Sequence, residues 1–553
     1  MYILHLIWVV IQNSAAYADQ SIYCSAVKGI SENMEILQKI STHIDRGNFD
    51  TAEDLCNQLL STIEIEDKKT VTTYIILFNL AGFFVDLGHM AKRKDLSLLG
   101  LNLMSNHKES FLEIINPSSF FFNLANAKSN LISIENPFEL TFQNIEELVE
   151  LKNYYWKALK EKNKDEENSH ELLVNLSNSL KRQFRLSESL RYYDIVNSFG
   201  LDIPQAHINR SETLKMLNIV SESYSVKMLQ EVADGYKIAS KSEKIPVSWA
   251  EYYRQLSLFT EEKIFEMGLT IGDDEKKETQ QEYNNLSSYR KFCIEKHLTL
   301  SEHGLYCACA GSARDNLTIP LLQKSIGGKF VPQMEMVLNR IKSEYSLARR
   351  NYYDYHNPTE EDLDLLHEDC FTELLNNELL GIPAEKLRTS FRLCFGILDK
   401  IAMAICEIYN VKPKGEIYFQ NFWRLDVDER RDKFESIKNP GLLALYSIAT
   451  DLNMHKDGEW ACFKNWRNSL EHGLFVILEE DSGIDIYESF TATPDIVKIT
   501  LKEFLYFLEQ LLQLTRSAIF SFVFSIRHLA LQSNTEGGIP CELNRKNFTD
   551  EDL

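Results

Sequence analysis

The stretch Pro383–Val411, PAEKLRTSFRLCFGILDKIAMAICEIYNV, decides how the C-terminal part of this chain is read. Leu387, Phe391, Cys394, Leu398, Ile401, Ile405 and Ile408 recur at spacings of three and four, which draws one apolar stripe along a helix. Pro413 ends it, because proline supplies no backbone N–H and its ring clashes with the preceding turn. Three more segments read as long helices: Pro332 to Tyr355, a helix around Trp460 to Ile477, and Leu501 to Leu531. Thr493-Pro494-Asp495 supplies a start for the last, with Thr as N-cap and Pro in the first turn. Four helices with apolar faces make a bundle.

Working outward, 553 residues exceed one compact core and suggest three or four domains at about 150 residues each. With 22 Gly and 12 Pro there are few breakers, so the fold class expected is all-α. Lys plus Arg number 59 against 81 Asp plus Glu, and a net charge of −22 excludes sequence-blind capture of nucleic acid by a broadly basic surface. A site for a polyanion must therefore be local. Tyr2 to Ile11 is nearly all apolar, and Ala16-Tyr17-Ala18 before Asp19 resembles a cleavage site. No Lys or Arg precedes Lys28, however, so residues 1–20 lack the positive start of a signal peptide, and a cytoplasmic location is expected over export. No later segment offers about 20 uninterrupted apolar residues, so no membrane contact is expected.

The ten cysteines are scattered through apolar helical patterns, which reads as reduced, buried thiol. Cys293, His297, His303, Cys307 and Cys309 gather five possible zinc ligands in a short stretch. Their spacing fits no standard pair of CxxC knuckles, and the intervening Leu and Ala suit a packed helix, so core packing is expected and metal is not.

Between residues 30 and 240 a pattern recurs: Phe78-Asn79-Leu80-Ala81, then Phe122-Asn123-Leu124-Ala125, then Val174-Asn175-Leu176-Ser177. Its small residues let two helices approach closely. Leu87-Gly88 reads as a turn after the first, and Arg46-Gly47-Asn48 as a turn before a helix carrying Leu55, Leu59 and Leu60. These residues resemble tetratricopeptide repeats, best from Val174 to Tyr193, although the Asn landmarks are not spaced at that family's period of about 34 residues. The resemblance implies a groove for a protein or peptide partner. Lys160 to Asn168 reads as a solvated break, and Pro320, Gly327 and Gly328 mark a boundary before the bundle. The expected division is an apolar segment 1–20, repeats 21–245, a helical connector 246–328, the bundle 329–535 and a polar tail 536–553.

The third bundle helix carries Trp466-Arg467-Asn468-Ser469-Leu470-Glu471-His472-Gly473. Asn468 and His472 share a helix face, while Arg467 lies about 140° round from His472 and reaches by its length. A guanidinium holds phosphate oxygens bidentately and an imidazole moves protons near neutrality, so the pair suits phosphodiester cleavage without a cofactor. Arg, a polar residue and a His five positions on resemble the motif of HEPN ribonucleases, all-α bundles found in RNA-cleaving toxins and defence proteins. That resemblance implies a metal-independent endoribonuclease in which Arg467 stabilises the phosphorane, His472 transfers protons and Asn468 orients one of them. It also implies a homodimer acting on RNA. Phe520, Phe522, Phe524 and Ile526 spread around the last helix, an apolar surplus suited to a subunit interface or to the repeats.

Lys464, Arg392 and Lys400 are candidate RNA contacts, with Arg388, Arg349 and Arg350 adding local positive charge. Asp399 is a candidate polar partner within the bundle, with a salt bridge to Arg392 or an exposed position expected ahead of a catalytic role. Arg290 with His297, and Arg349 or Arg350 with His356, meet the same Arg-to-His spacing, and Arg350 is even followed by Asn351. The pair at Arg467 is preferred because Leu470 and the run Leu474 to Leu478 suit a core helix, whereas Tyr353 to Pro358 reads as a fraying end. The alternative function is a non-catalytic adaptor whose bundle serves dimerisation or nucleotide binding.

Overall fold

A computed structural model describes residues 20–65, 69–135, 142–162, 169–221, 225–268, 273–319, 325–326, 329–364, 377–411, 416–480, 483, 486–487 and 496–532. The apolar start, most of the charged stretch after Lys160, Pro320, Gly327, Gly328, Thr493-Pro494-Asp495 and the polar tail lie outside the described residues. The chain forms two compact units, residues 1–179 and 180–553. Nearly all described structure is helical, as the composition requires.

The first unit is a series of helices consistent with repeats. Gln20–Asp45 and Phe49–Glu64 are joined at Gly47, whose φ of 75° makes the turn expected at Arg46–Asn48. Val71–Met90 opens on a reciprocal cap, Thr70 and Thr73 each accepting from the other's backbone N–H. It then lies almost in contact with Lys94–Asn106. A Cβ on Gly100 would sit 2.5 Å from the Ala81 carbonyl, and one on Gly88 would sit 2.1 Å from Ser97 Oγ. Gly88 is therefore a helix contact and not a turn; the turn comes at Lys92, with φ 54°. Asn79 and Asn123 play one role, each donating through Nδ2 to the carbonyl four residues earlier, Ile75 at 2.8 Å and Ser119 at 2.9 Å. Among the described residues Val71–Met90 alone is long and apolar enough to cross a membrane, and it buries Leu77, Leu80, Phe83, Phe84 and Leu87 in this unit's core.

In the second unit five helices form the bundle: α1 (Val331–His356), α2 (Ile382–Ile408), α3 (Pro440–Asp451), α4 (Cys462–His472) and α5 (Leu501–Gln532). Helices α1, α2 and α3 all pack on α5, whose residues 511–527 are buried without interruption. A Cβ on Gly441 would meet the Ser525 backbone N at 2.3 Å, so glycine sets how closely α3 seats on α5. Helix α3 shows no one-sided apolar stripe, because every residue of it is buried; its sequence signal is the start at Asn439-Pro440, where Asn439 accepts from the Leu442 N–H.

Two boundaries differ from the sequence expectation. Helix α4 stops at His472, and Phe475–Leu478 is a strand, β1, paired in parallel with β2 (Val497–Thr500). The run Phe475-Val476-Ile477-Leu478 is rich in β-formers and follows Gly473, so its apolar character marks a buried strand and not a continued helix. Helix α5 begins after β2 with its own cap: Thr500 Oγ1 accepts from the Glu503 N–H and Glu503 accepts from the Thr500 N–H, both at 3.3 Å.

Helices Leu186–Ser198 and Pro204–Ser221 pack on α5 from the other side. Phe520, Phe522, Phe524 and Ile526 are thus all buried within the unit, and their apolar surface does not face a second subunit. Arginines fasten the outer segments to the bundle. Arg185 pairs with Asp451 of α3 at 2.5 Å, and Arg527 of α5 donates to the Ser221 carbonyl at 2.9 Å and to Glu302 at 2.6 Å. The 293–309 stretch is not one packed helix. Ser288–Glu295 is helical, but His303–Leu305 and Ala310–Ala313 are short 3-10 turns in a loop. The described cysteines are free thiols.

Candidate functional site

Helix α4 is amphipathic, and its apolar side fixes everything else at the site. Phe463, Trp466 and Leu470 recur at three and four residues and turn inward. Phe463 and Trp466 lie 5.5 and 6.0 Å, centroid to centroid, from Phe391 of α2, and Trp466 meets Phe507 of α5 edge-on at 5.0 Å. Arg467 lies at the border of this apolar face and turns toward α2. Its Nη1 is 3.2 Å from Asp399 Oδ2, and its guanidinium lies 5.8 Å from the Phe395 ring centroid and 5.6 Å from that of Tyr418. Asp399 also accepts from the Phe419 N–H at 2.9 Å. Burial pushes the Asp399 carboxyl above its ordinary range, opposed by that N–H and by Arg467. Asp399 is therefore the partner of Arg467, not of Arg392, and it is not exposed.

The end of α4 is framed from α2. Arg392 Nη2 donates to the Leu470 carbonyl at 2.6 Å, and Arg388 Nη2 donates to the Phe475 carbonyl at 3.1 Å. These two carbonyls flank His472-Gly473-Leu474, so α2 holds the helix-to-strand turn on both sides. The Gly473 N–H closes the helix onto the Ser469 carbonyl at 3.0 Å. The side chains of His472 and Asn468 are exposed and, among the described residues, make no hydrogen bond or ion pair. They share the outer face of α4. Arg467 and His472 are thus on one helix but not in contact within one chain: the guanidinium is drawn inward and the imidazole is displayed outward.

Of the candidate RNA contacts, Lys464 is exposed on the outer side of α4. Arg392 is occupied in framing the turn and lies 3.7 Å from Glu471. Lys400 is 2.9 Å from Glu344 of α1 and donates to the Gly396 carbonyl. Sequence reasoning missed Phe395 and Tyr418 as the aromatic flanks of Arg467. Phe395 was within reach, since it stands four residues before Asp399 on the same helix face; Tyr418 is in an irregular segment and gave no signal.

The competing Arg-His pairs have structural duties. Arg349 is buried, grips Asp315 through two nitrogens at 3.0 and 2.6 Å, and donates to the Leu298 carbonyl at 2.8 Å. Arg350 pairs with Asp354 at 2.7 Å, while His356 packs edge-on against Tyr352 at 4.7 Å and is pushed below its ordinary pKa by burial. Arg290 donates to the Ala313 carbonyl. Burial, and then the charge of Arg516, pushes His297 down to about 3, so it stays neutral.

With this geometry in place, residues 327–528 match the family model for LA2681-like HEPN, a span that contains α1 to α4 and all but the last four residues of α5. No curated protein and no solved structure matches the chain.

Proposed function

Residues 327–528 form an LA2681-like HEPN domain, and from that premise we propose that the chain is an endoribonuclease whose chemistry rests on Arg467 and His472. The supporting observation is the contrast between the two side chains. Arg467 is oriented by Asp399 between two aromatic rings, whereas His472 stands free at a helix end that Arg388 and Arg392 hold in place. In this reading the RNA 2′-hydroxyl attacks the adjacent phosphate, forming the 2′-O–P bond as the bond to the 5′-oxygen breaks. The proton leaves the 2′-oxygen and another reaches the departing 5′-oxygen, giving a 2′,3′-cyclic phosphate and a 5′-hydroxyl. Arg467 neutralises the non-bridging oxygens of the phosphorane. Asn468, one turn from His472 on the same face, orients the imidazole or the phosphate.

One imidazole per chain supplies a base or an acid, but the displacement uses both. A two-fold homodimer that brings two α4 outer faces together provides a pair of histidines, a pair of arginines and a cleft that one convex helix lacks. A role as a toxin or defence effector, with the N-terminal helices choosing the partner or trigger, belongs to the same proposal.

The test is to incubate the purified chain with RNA and identify the product ends. Arg467→Ala and His472→Ala should each lower cleavage by about 10²-fold or more. Mixed Arg467→Ala and His472→Ala subunits should recover part of it. Variants that cleave as the wild type does would refute the assignment. The second reading, a non-catalytic adaptor that binds nucleotides, is favoured by the lack of contact between Arg467 and His472 within one chain. It predicts saturable nucleotide binding, weakened by Arg467→Ala, with no cyclic-phosphate ends at any protein concentration.

A further inference from the structure

Outside the HEPN span, His303, Cys307 and Cys309 place one nitrogen and two sulfurs all within 4.8 Å of one another. The local backbone builds this convergence. The Cys307 N–H donates to the His303 carbonyl at 2.9 Å, which folds the segment so that both side chains leave on one side. The Ser312 N–H and Oγ both donate to the Cys309 carbonyl, at 3.1 and 2.6 Å. The Tyr306 ring stacks on the His303 imidazole at 5.0 Å and fixes its plane. Cys293 and His297, which share the sequence cluster, do not join the group.

Donors on a tetrahedral zinc ion, at about 2.3 Å for sulfur and about 2.0 Å for nitrogen, lie about 3.5–3.8 Å apart. A trio already within 4.8 Å needs only small rotations to reach that geometry. Two thiolates and an imidazole are a borderline-soft donor set that selects zinc over magnesium or calcium. We infer that His303, Cys307 and Cys309 bind a zinc ion, and that this ion braces the loop 296–319 against the bundle.

The second half of the inference follows from what that loop carries. Arg516 of α5 donates to the Thr299 carbonyl at 2.8 Å, Arg527 of α5 reaches Glu302 and the Thr318 carbonyl at 2.6 Å, and Arg349 of α1 grips Asp315. Gln513 of α5 donates to the Lys296 carbonyl. The loop therefore supplies acceptors to polar side chains of α1 and α5, and such a segment holds them only while its own path is fixed. At Gly304 the backbone runs so close that a Cβ would lie 2.4 Å from Thr299 Oγ1, which couples the ligand turn directly to the part of the loop that carries these acceptors. None of the side chains framing Arg467 and His472 belongs to this loop, so the ion is placed as a structural element and not in the cleavage chemistry.

The full chain, purified under reducing conditions, should carry about one zinc per molecule by elemental mass spectrometry. His303→Ala, Cys307→Ser and Cys309→Ser should each lower that content by more than half, whereas Cys462→Ser, an exposed cysteine elsewhere, should leave it unchanged. Because a ligand variant can fail to fold, the wild-type chain is also stripped and refilled with Co2+. Tetrahedral visible bands and a thiolate-to-cobalt charge-transfer band should appear together and saturate at one equivalent. A reduced chain that binds neither Zn2+ nor Co2+, or ligand variants that keep full zinc, would overturn the site. An unchanged thermal midpoint after stripping would overturn the bracing role. None of these readouts depends on ribonuclease activity.

Discussion

Replacing Asp451 by Ala should destabilise the C-terminal unit by about 3 kcal/mol, because it removes one carboxylate from a charge cluster sealed inside the protein. Arg185 and Asp451 both have fully buried side chains, 2.5 Å apart, and Arg185 also reaches Ser447 Oγ at 3.3 Å. Burial opposes the charge on Arg185, but Asp451 and then Glu188 outweigh it and hold its pKa above the ordinary value. Breaking a buried pair by deleting one partner costs about 3–5 kcal/mol. Here the low end applies, since Glu188 keeps its fork on Arg185 at 2.6 and 2.7 Å. A unit of this length loses about 0.8 kcal/mol of stability per kelvin near its midpoint, so the expected shift is about 4 °C. Tryptophan fluorescence is a suitable probe, because Trp423, Trp460 and Trp466 all lie in that unit and are buried or half-buried. Arg185→Met should cost more, because it strands two buried carboxylates, Glu188 and Asp451, instead of removing one. A shift below about 1 °C for Asp451→Ala would refute the view that helix Leu186–Ser198 is an integral layer of the bundle.

Three further outcomes follow from single groups. Arg349→Met should cost about 3 kcal/mol because it removes the buried cation that Asp315 grips and leaves that half-buried carboxylate only the Leu300 N–H and Ser346 Oγ, whereas Arg516→Met should change stability by less than about 1.5 kcal/mol. Arg516 is buried beside a carbonyl and the Phe520 ring with no carboxylate bonded to it, and denaturant titration of the two variants compares them directly. In the first unit, burial and then Asp45 lift Asp86 to about 6. The folded state then holds a proton that the unfolded state has released, so stability falls as the pH rises from about 4 through 6, and Asp86→Asn should flatten that slope. The side chain still meets solvent at one edge, which holds the gain at pH 7.5 to about 1–2 kcal/mol by urea unfolding. For the proposed cleavage, Arg392→Ala should lower the rate by about tenfold with little change in KM, since it frees the turn that carries His472 without removing a proposed reacting group; an equal loss in binding would make Arg392 an RNA contact instead.

The bundle was legible because its helices obey one period. Leu387 to Ile408 forms a stripe that only a helix aligns, and α2 runs from Ile382 to Ile408 where that stripe lies. Legibility failed where periodicity carried no information. Helix α3 is buried on every side, and β1 is an apolar run too short for a period to separate strand from helix. The outer layer was hidden for another reason. Arg185 and Asp451 are joined by the fold and not by sequence spacing, so helices resembling repeats share a compact unit with the HEPN domain.

The candidate site divides along the same line. Arg467 and His472 were found because a motif is a local pattern, and local patterns survive in one sequence. Asp399 is legible as a polar partner within the bundle, but its pairing with Arg467 in place of Arg392 is not. On α2, Arg392 stands nearly two turns before Asp399, so each reaches a different part of α4: Arg392 the Leu470 carbonyl, Asp399 the Arg467 guanidinium. His303, Cys307 and Cys309 suit a packed helix by sequence, but His303 to Cys309 is not an α-helix, and their side chains converge. Chemistry carried by neighbours in sequence is therefore readable early in this chain, while chemistry assembled across α2, α4 and the 296–319 loop becomes readable only once the turns at Gly473 and Gly304 are placed.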